Sequence, residues 1–272
     1  MPELPEVQSF VNALNIAYSG KTIQKISFHR ANLRVPFDVK KISQILKSGL
    51  KILEFKRRHK QLLIVTQNGA LRVSLGMSGA FLPTQIAKPH KHEHVTLEFV
   101  GAEPLAYVDP RRFGFWLADD AVQQELAQLI ADPLSCKSLM SLFNCEEIKH
   151  SDRQLKVLLM DQNSIGGLGN IYVLEALFLA SLLPNKKCRD INTKQWQNLA
   201  EIIPKILAAA IKSGGSSIAS YRNLNGEKGG FQQHHKVYGR EGLPCPNSKC
   251  TATVLRSVQA GRSSFYCPRC QK

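Results

Sequence analysis

The chain has no apolar run near the roughly 20 residues that a bilayer-crossing helix requires. Its acidic start, MPELPEVQ, has neither the basic nor the apolar region of a secretory signal. These gaps argue against a spanning helix and an export signal, so a soluble, cytoplasmic protein is expected. Acids are also scarce, with 21 Asp and Glu against 36 Lys and Arg and a formal net charge of +15. The imbalance favours a polyanionic partner, because neutralised phosphates release condensed counterions. Charge alone does not decide the point, since some basic proteins bind no nucleic acid. No internal repeat is present. The glycines of NSIGGLGNIY do not follow a strand with the G-x-G-x-x-G spacing, which sets aside a dinucleotide fold. Seven cysteines cannot all pair with one another. Nothing in the sequence calls for a dimer, and the expected state is a monomer.

What is present suggests an α+β, multidomain chain. From Pro5 to Tyr18 the apolar residues Val7, Phe10, Val11, Leu14 and Tyr18 recur at helical intervals, and Gly20 supplies a stop. Short β-like runs follow: TIQKISFH, LKILEFKR, QLLIVTQ, ALRVSLGM, HVTLEFV, PLAYVDP and FGFWLA. Asn68-Gly69 between two of them signals a hairpin, because both residues tolerate positive φ. Residues 1–120 therefore read as a helix on an antiparallel β-sandwich or barrel. Beyond Asp120 the pattern turns helical, around 122–130, 138–144, 153–162, 169–182 and 193–213. A glycine-rich stretch then runs from Lys212 to Lys236 as one long loop, of the length usually reserved for function or disorder. The division expected is 1–120, 121–235 with the loop, and a small module over 236–272. Cys136, Cys145 and Cys188 are scattered and are expected as reduced, buried thiols.

The final module carries the strongest local signal. Cys245 and Cys250 enclose four residues, a 16-residue hairpin follows, and Cys267 and Cys270 enclose two. Two close pairs across a hairpin can set four thiolates around one zinc ion, which a module with little core needs; a disulfide pair or unliganded thiols are the alternatives. A filled shell of four cysteines leaves no open position for catalysis. From Gly215 onward nine basic residues face two acids, suited to a nucleic-acid backbone or to plain solvation. The glycine turn before Asn170 offers helix N–H groups to an anion, and Glu175 either braces that turn or faces solvent. Arg111 and Phe113 in YVDPRRFGF form either a groove-entering pair or core packing with a surface arginine. Lys60, beside a strand, is in isolation an ordinary solvated lysine. Pro2 is an ordinary prelude to a helix, or else a secondary amine exposed as a reagent once Met1 is removed.

Taken together, PELPEV, LGMSG, DPRRFG, GLGNIY, SGGSS with YGREG, and the four-cysteine hairpin occur in the order seen in bacterial formamidopyrimidine-DNA glycosylases, and the chain resembles that family over its whole length. The resemblance implies an N-terminal helix on a β-sandwich, a helix-two-turn-helix domain and a zinc-finger β-hairpin. It implies excision of oxidised purines from double-stranded DNA, with strand cleavage at the abasic site. Pro2 would be the nucleophile, Glu3 its acid or base with Glu6 in support, Lys60 a participant in β-elimination and Arg262 in δ-elimination. Met77, Arg111 and Phe113 would fill the gap left by the extruded nucleotide. His92, Lys156 and Asn170 would contact the DNA backbone, and the loop from Ser216 to Gly230 would close over the base. Cys245, Cys250, Cys267 and Cys270 would hold one zinc. Three departures stand out: Gln8-Ser9 where the family continues Glu-Thr, His59 where glycine commonly precedes the lysine, and Asp152 where the residue is often basic. They leave open an enzyme of the endonuclease VIII type for oxidised pyrimidines, or a paralogue that binds lesions without cutting.

Overall fold

The computed structural model describes residues 2–118, 130–216 and 229–272. All but the last residue of the helix expected at 122–130, and the interior of the glycine-rich loop, lie outside them. The chain divides into two compact units, Met1–Gln128 with Ile211–Gly230, and Leu129–Ala210 with Phe231–Lys272. This grouping places residues 212–216 and 229–230 of the glycine-rich stretch with the N-terminal unit and 231–236 with the second.

In the first unit, α1 (Leu4–Tyr18) starts on Pro5, whose fixed φ suits a first turn, and turns Val7, Phe10, Val11, Leu14 and Tyr18 into the core. Two four-stranded antiparallel sheets share that core. One has the order β1 (Ile23–Phe28), β6 (Glu93–Phe99), β7 (Ala102–Val108), β5 (Ala80–Pro83); the other runs β2 (Glu54–Arg58), β3 (Gln61–Thr66), β4 (Gly69–Ser74), β8 (Phe115–Ala118). The inward faces meet in an aromatic cluster, with the Phe81 and Tyr107 rings 5.4 Å apart and Tyr107 and Trp116 5.5 Å apart, edge to face. A short helix the periodicity did not suggest, α2 (Val39–Ile45), buries Ile42 and Ile45 against the same core. Asn15 on α1 behaves like a strand neighbour of β2: its side-chain amide donates to the Phe55 carbonyl at 2.8 Å and accepts from the Phe55 N–H at 2.7 Å. The helix is thereby locked onto the sheet edge.

Two hairpins differ from simple expectation. The β3–β4 turn forms on Gln67 and Asn68, with Thr66 paired to Gly69; only Gly69 takes a positive φ (127°), and Asn68 instead donates its side-chain amide to the Gln44 carbonyl at 2.8 Å. The β2–β3 turn consists of His59 and Lys60, and His59 adopts φ 54°. A side chain in that left-handed region is disfavoured by about 1 kcal/mol relative to glycine.

The second unit contains α3 (Cys136–Phe143), α4 (Glu146–Lys149), α5 (Leu155–Met160), α6 (Asn170–Leu179), most of α7 (Thr193–Lys212), and the hairpin of β9 (Leu255–Gln259) and β10 (Arg262–Tyr266). α6 is apolar nearly all round and is buried along most of its length. The hairpin module has almost no core of its own: Val237 and Val254 bury against Leu174 of α6, flanked by Tyr238 and Phe265. The expectation of three buried free thiols is corrected. Cys188 is buried, but Cys136 and Cys145 are exposed, because they stand at the first residue of α3 and the cap of α4, away from either helix's apolar face.

Truncating Trp116 to alanine removes the centre of the aromatic cluster, and a loss of about 3–5 kcal/mol in urea-unfolding stability is expected.

Candidate active site, nucleic-acid interface and metal centre

In the first unit the candidate residues stand on helix ends and turns. Pro2 and Glu3 are both buried just before α1. Glu3 caps the helix in a reciprocal box with Glu6, whose Oε2 accepts from the Glu3 N–H at 2.8 Å. The other Glu6 oxygen accepts from the Ser216 N–H at 2.7 Å, so one buried carboxylate joins the segment carrying Pro2 to the base of the glycine-rich loop. Gly215 permits this approach. A Cβ there would lie 2.7 Å from Glu6 Oε1, at a φ of +80°. Ser216 also bridges to Gly230, closing the two ends of the loop on each other.

Lys60 is half-buried in the β2–β3 turn. That turn is tied to α1 through two of the departing residues: Arg57 donates through Nε to Gln8 Oε1 at 2.9 Å and through Nη1 to the His59 carbonyl at 3.2 Å. Gln8 and His59 are thus the two ends of one linkage across Arg57. Met77 and Phe113 are large apolar side chains left 40% and 44% exposed, and the Arg111 guanidinium lies 4.7 Å over the Phe113 ring. His92 is exposed, with φ 65°. The core-packing alternative for Phe113 does not hold.

In the second unit three candidates converge on the β9–β10 hairpin. Its turn, Ala260-Gly261, has positive φ at both residues (47° and 71°), the tight form that matches strand twist, and it leaves Arg262 exposed at the tip. Lys156 on α5 is only 1% exposed; its ammonium donates to Ser264 Oγ at 2.7 Å and to the Ser263 carbonyl at 3.0 Å. Asn170, the first residue of α6, donates its amide to the same carbonyl at 3.0 Å. Burial, with the Arg262 charge as the lesser cause, brings the Lys156 pKa down to about 8. Glu175 neither braces the glycine turn nor faces solvent. It is buried in α6 and accepts from the backbone N–H groups of Lys236, Val237 and Tyr238 at 2.7, 3.0 and 2.8 Å, anchoring the bend that leads into the metal module. Asp152 is bound to Lys187 and Arg189 at 2.7 and 3.0 Å, so its charge is answered locally.

The four cysteine sulfurs of the module lie within 4.8 Å of one another, and the Cys245–Cys270 and Cys250–Cys267 pairs are each 3.7 Å apart. Disulfide sulfurs stand about 2.05 Å apart, which rules out that pairing. Four thiolates at about 2.3 Å from a tetrahedral zinc are separated by about 3.8 Å, so the donor set fits one structural zinc ion. Gln271 buttresses the site, accepting from the Cys267 N–H at 2.8 Å and donating to the Leu182 carbonyl at 2.7 Å.

The periodicity and motif reading missed the Glu6–Ser216 link, the Gln8–Arg57–His59 linkage and the burial of Lys156. Only the paired glycines at 214–215 and 229–230 hinted at the first.

Two measurements check this geometry. In the zinc-loaded protein a thiol reagent is expected to modify Cys136 and Cys145 at once and the four module cysteines only after chelation, with Cys188 last, on denaturation. Lysine-selective NMR is expected to show Lys156 titrating near 8; in Arg262→Ala its midpoint rises but stays below 10.5, since burial is the larger cause. Because folding disfavours this ammonium, its unfavourable contribution is present below about 8 and is relieved as pH rises toward 10.5.

Comparison with known proteins identifies the family. Residues 1–116 match the formamidopyrimidine-DNA glycosylase N-terminal domain, 129–222 the formamidopyrimidine-DNA glycosylase H2TH domain, and 242–272 a zinc finger found in these enzymes and in IleRS. The formamidopyrimidine-DNA glycosylases of Gluconobacter oxydans and Bdellovibrio bacteriovorus are each 39% identical to it, with all of both chains covered. The crystal structure of the Fpg protein from Thermus thermophilus superposes with a TM-score of 0.83 at 37% identity, covering 99% of this chain and 98% of that one. A Lactococcus lactis Fpg variant in complex with Fapy-dG-containing DNA gives a TM-score of 0.86 at 32% identity over 100% of both chains. With family models matched over most of its length and full-length relatives at this identity, the chain belongs to the formamidopyrimidine-DNA glycosylase family.

Proposed function

We propose that Pro2, freed by removal of Met1, is the nucleophile of this chain, with Glu3 as its proton-transfer partner. The protein is a DNA glycosylase and abasic-site lyase of base-excision repair, acting on oxidised purines such as 8-oxoguanine and formamidopyrimidines in double-stranded DNA. The observation that carries the assignment of roles is the buried Pro2-Glu3 pair at the start of α1, held by Glu6.

The chemistry follows from the residue types. The proline nitrogen attacks the deoxyribose C1′, the C1′–N bond to the damaged base breaks, and the base leaves with a proton. Ring opening gives an iminium ion, which a secondary amine forms necessarily as a cation; it withdraws electrons and acidifies the C2′ hydrogen. Loss of that proton expels the 3′ phosphate, and a second elimination expels the 5′ phosphate. Glu3 supplies and accepts protons at the sugar. Lys60 serves the first departing phosphate, and Arg262, presented at a rigid hairpin tip, stabilises the second. Met77, Arg111 and Phe113 fill the gap in the stack, and His92 and Asn170 contact the DNA backbone. Lys156, expected to contact the DNA backbone, is buried with its ammonium on Ser263 and Ser264, and in place of that contact it sets the hairpin that bears Arg262. Cys245, Cys250, Cys267 and Cys270 hold the zinc, whose part is structural. By this division residues 1–120 carry the chemistry, 121–235 the DNA-binding helices and capping loop, and 236–272 the zinc hairpin. Among the described residues no helix is long and apolar enough to cross a membrane. We place the protein in the bacterial cytoplasm as a monomer working on nucleoid DNA.

Borohydride added to the protein on an 8-oxoguanine duplex is expected to trap a covalent adduct, and a short N-terminal extension is expected to abolish it. Tight binding with no adduct would instead mark a lesion-binding protein. Thymine glycol duplexes run in parallel are expected to react more slowly, the reverse order pointing to the pyrimidine-directed reading. Glu3→Gln is expected to lower excision by roughly 10²–10⁴-fold.

A further inference from the structure

One buried carboxylate has no part in the mechanism above, yet it touches the loops of four proposed DNA-contacting residues. Asp109, at 0% exposure, follows β7. Its Oδ1 accepts from Ser78 Oγ at 2.5 Å and from the Arg111 N–H at 3.3 Å, and its Oδ2 accepts from the Gly114 N–H at 2.8 Å. Its backbone is equally engaged: the N–H donates to the His92 carbonyl at 3.1 Å, and the carbonyl accepts from the Arg112 N–H at 3.2 Å and from His94 Nε2 at 2.8 Å. Ser78 adjoins Met77, and the Arg111 and Gly114 amides bracket the turn that presents Arg111 and Phe113.

We propose that Asp109 is the positioning residue that clamps the Met77 loop to the Arg111–Phe113 loop, making the three side chains one preformed wedge. The proposal rests on the reading of those side chains as gap fillers. Met77 and Phe113 are exposed, so although Leu75 buries at the start of the first loop, neither side chain of the wedge anchors its own loop. Polar bonds must hold the loops instead, and a desolvated carboxylate is the strongest acceptor available for the purpose. The backbones are also in direct contact. A Cβ on Gly76 would fall 2.5 Å from the Phe113 carbonyl carbon, and one on Gly114 would fall 2.6 Å from the Ser74 carbonyl oxygen. A wedge assembled before DNA arrives avoids the ordering penalty that separately mobile loops would incur on entering the stack.

Asp109→Asn keeps the shape but replaces one acceptor oxygen by an NH2 group, leaving an N–H or O–H donor of the loops without its partner. The test compares two substrates: an 8-oxoguanine duplex with 2-aminopurine beside the lesion, and a single-stranded oligonucleotide with a preformed abasic site, which has no stack to fill. Asp109→Asn is expected to lower duplex excision and the 2-aminopurine fluorescence change at least tenfold while leaving borohydride trapping on the single strand within twofold. Ser78→Ala, a milder change at a half-buried residue, is expected to give a smaller loss of the same selectivity, about threefold, and it decides the matter if Asp109→Asn does not fold. Combining the two is expected to add little to Asp109→Asn alone. Equal losses on both substrates, or no loss on the duplex, would overturn the clamp while leaving the enzyme assignment intact. A parent protein inactive on both substrates would overturn both.

Discussion

A carboxylate removed from water must be met by donors, and this chain meets that requirement with backbone N–H groups of irregular segments. Glu6, Asp109 and Glu175 are all buried. Glu6 takes the Ser216 amide at the foot of the glycine-rich loop, Asp109 the amides of Arg111 and Gly114, and Glu175 those of Lys236, Val237 and Tyr238. Each acid sits on, or directly beside, a regular element, and each fixes an irregular segment by strong hydrogen bonds, to which the burial of Val237 against Leu174 adds at the third. Arg111 and Phe113, proposed to enter the base stack, stand on one of those segments. Rigid helices and strands thus determine where the loops stand, through three points of strong hydrogen bonding.

The same arrangement shapes the charge that DNA meets. Glu3, Glu6, Asp109 and Glu175 face inward, so they do not present a carboxylate to a phosphate at the surface. Asp152, which is exposed, is covered by Lys187 and Arg189. The surplus of lysine and arginine is left to act outward, where it draws a polyanion over long range and is weakened by salt. Lys156 is the exception: a buried cation, satisfied by the oxygens of the hairpin that carries Arg262.

The departures from the family pattern have local physical accounts. With glutamine at position 8, a neutral acceptor meets Arg57, whose other arm steadies the His59 carbonyl in the turn before Lys60. His59 occupies a left-handed conformation that glycine would adopt freely, and the arginine bond helps to hold it there.

Local order was legible in the chain itself. The 3.6-residue spacing of Val7, Phe10, Val11 and Leu14 forecast α1, alternation forecast most strands, and the cysteine spacing forecast the zinc shell, because each pattern repeats within a few residues. Short α2 and β5 carried too few periods to be read, and the Asn68-Gly69 hairpin formed with its turn one residue early. Pro2 offered two readings on its own and Lys60 looked like any solvated lysine; the roles of Pro2, Lys60 and Arg262 came only through the joint order of motifs. What tertiary structure alone decided was the pairing of polar groups: Glu6 with Ser216 across 210 residues, Lys156 with Ser264 across 108, Glu175 with Val237 across 62. No periodicity encodes such partners. They are chosen when apolar faces pack and a buried charge must accept whichever donors the collapsed backbone has brought beside it.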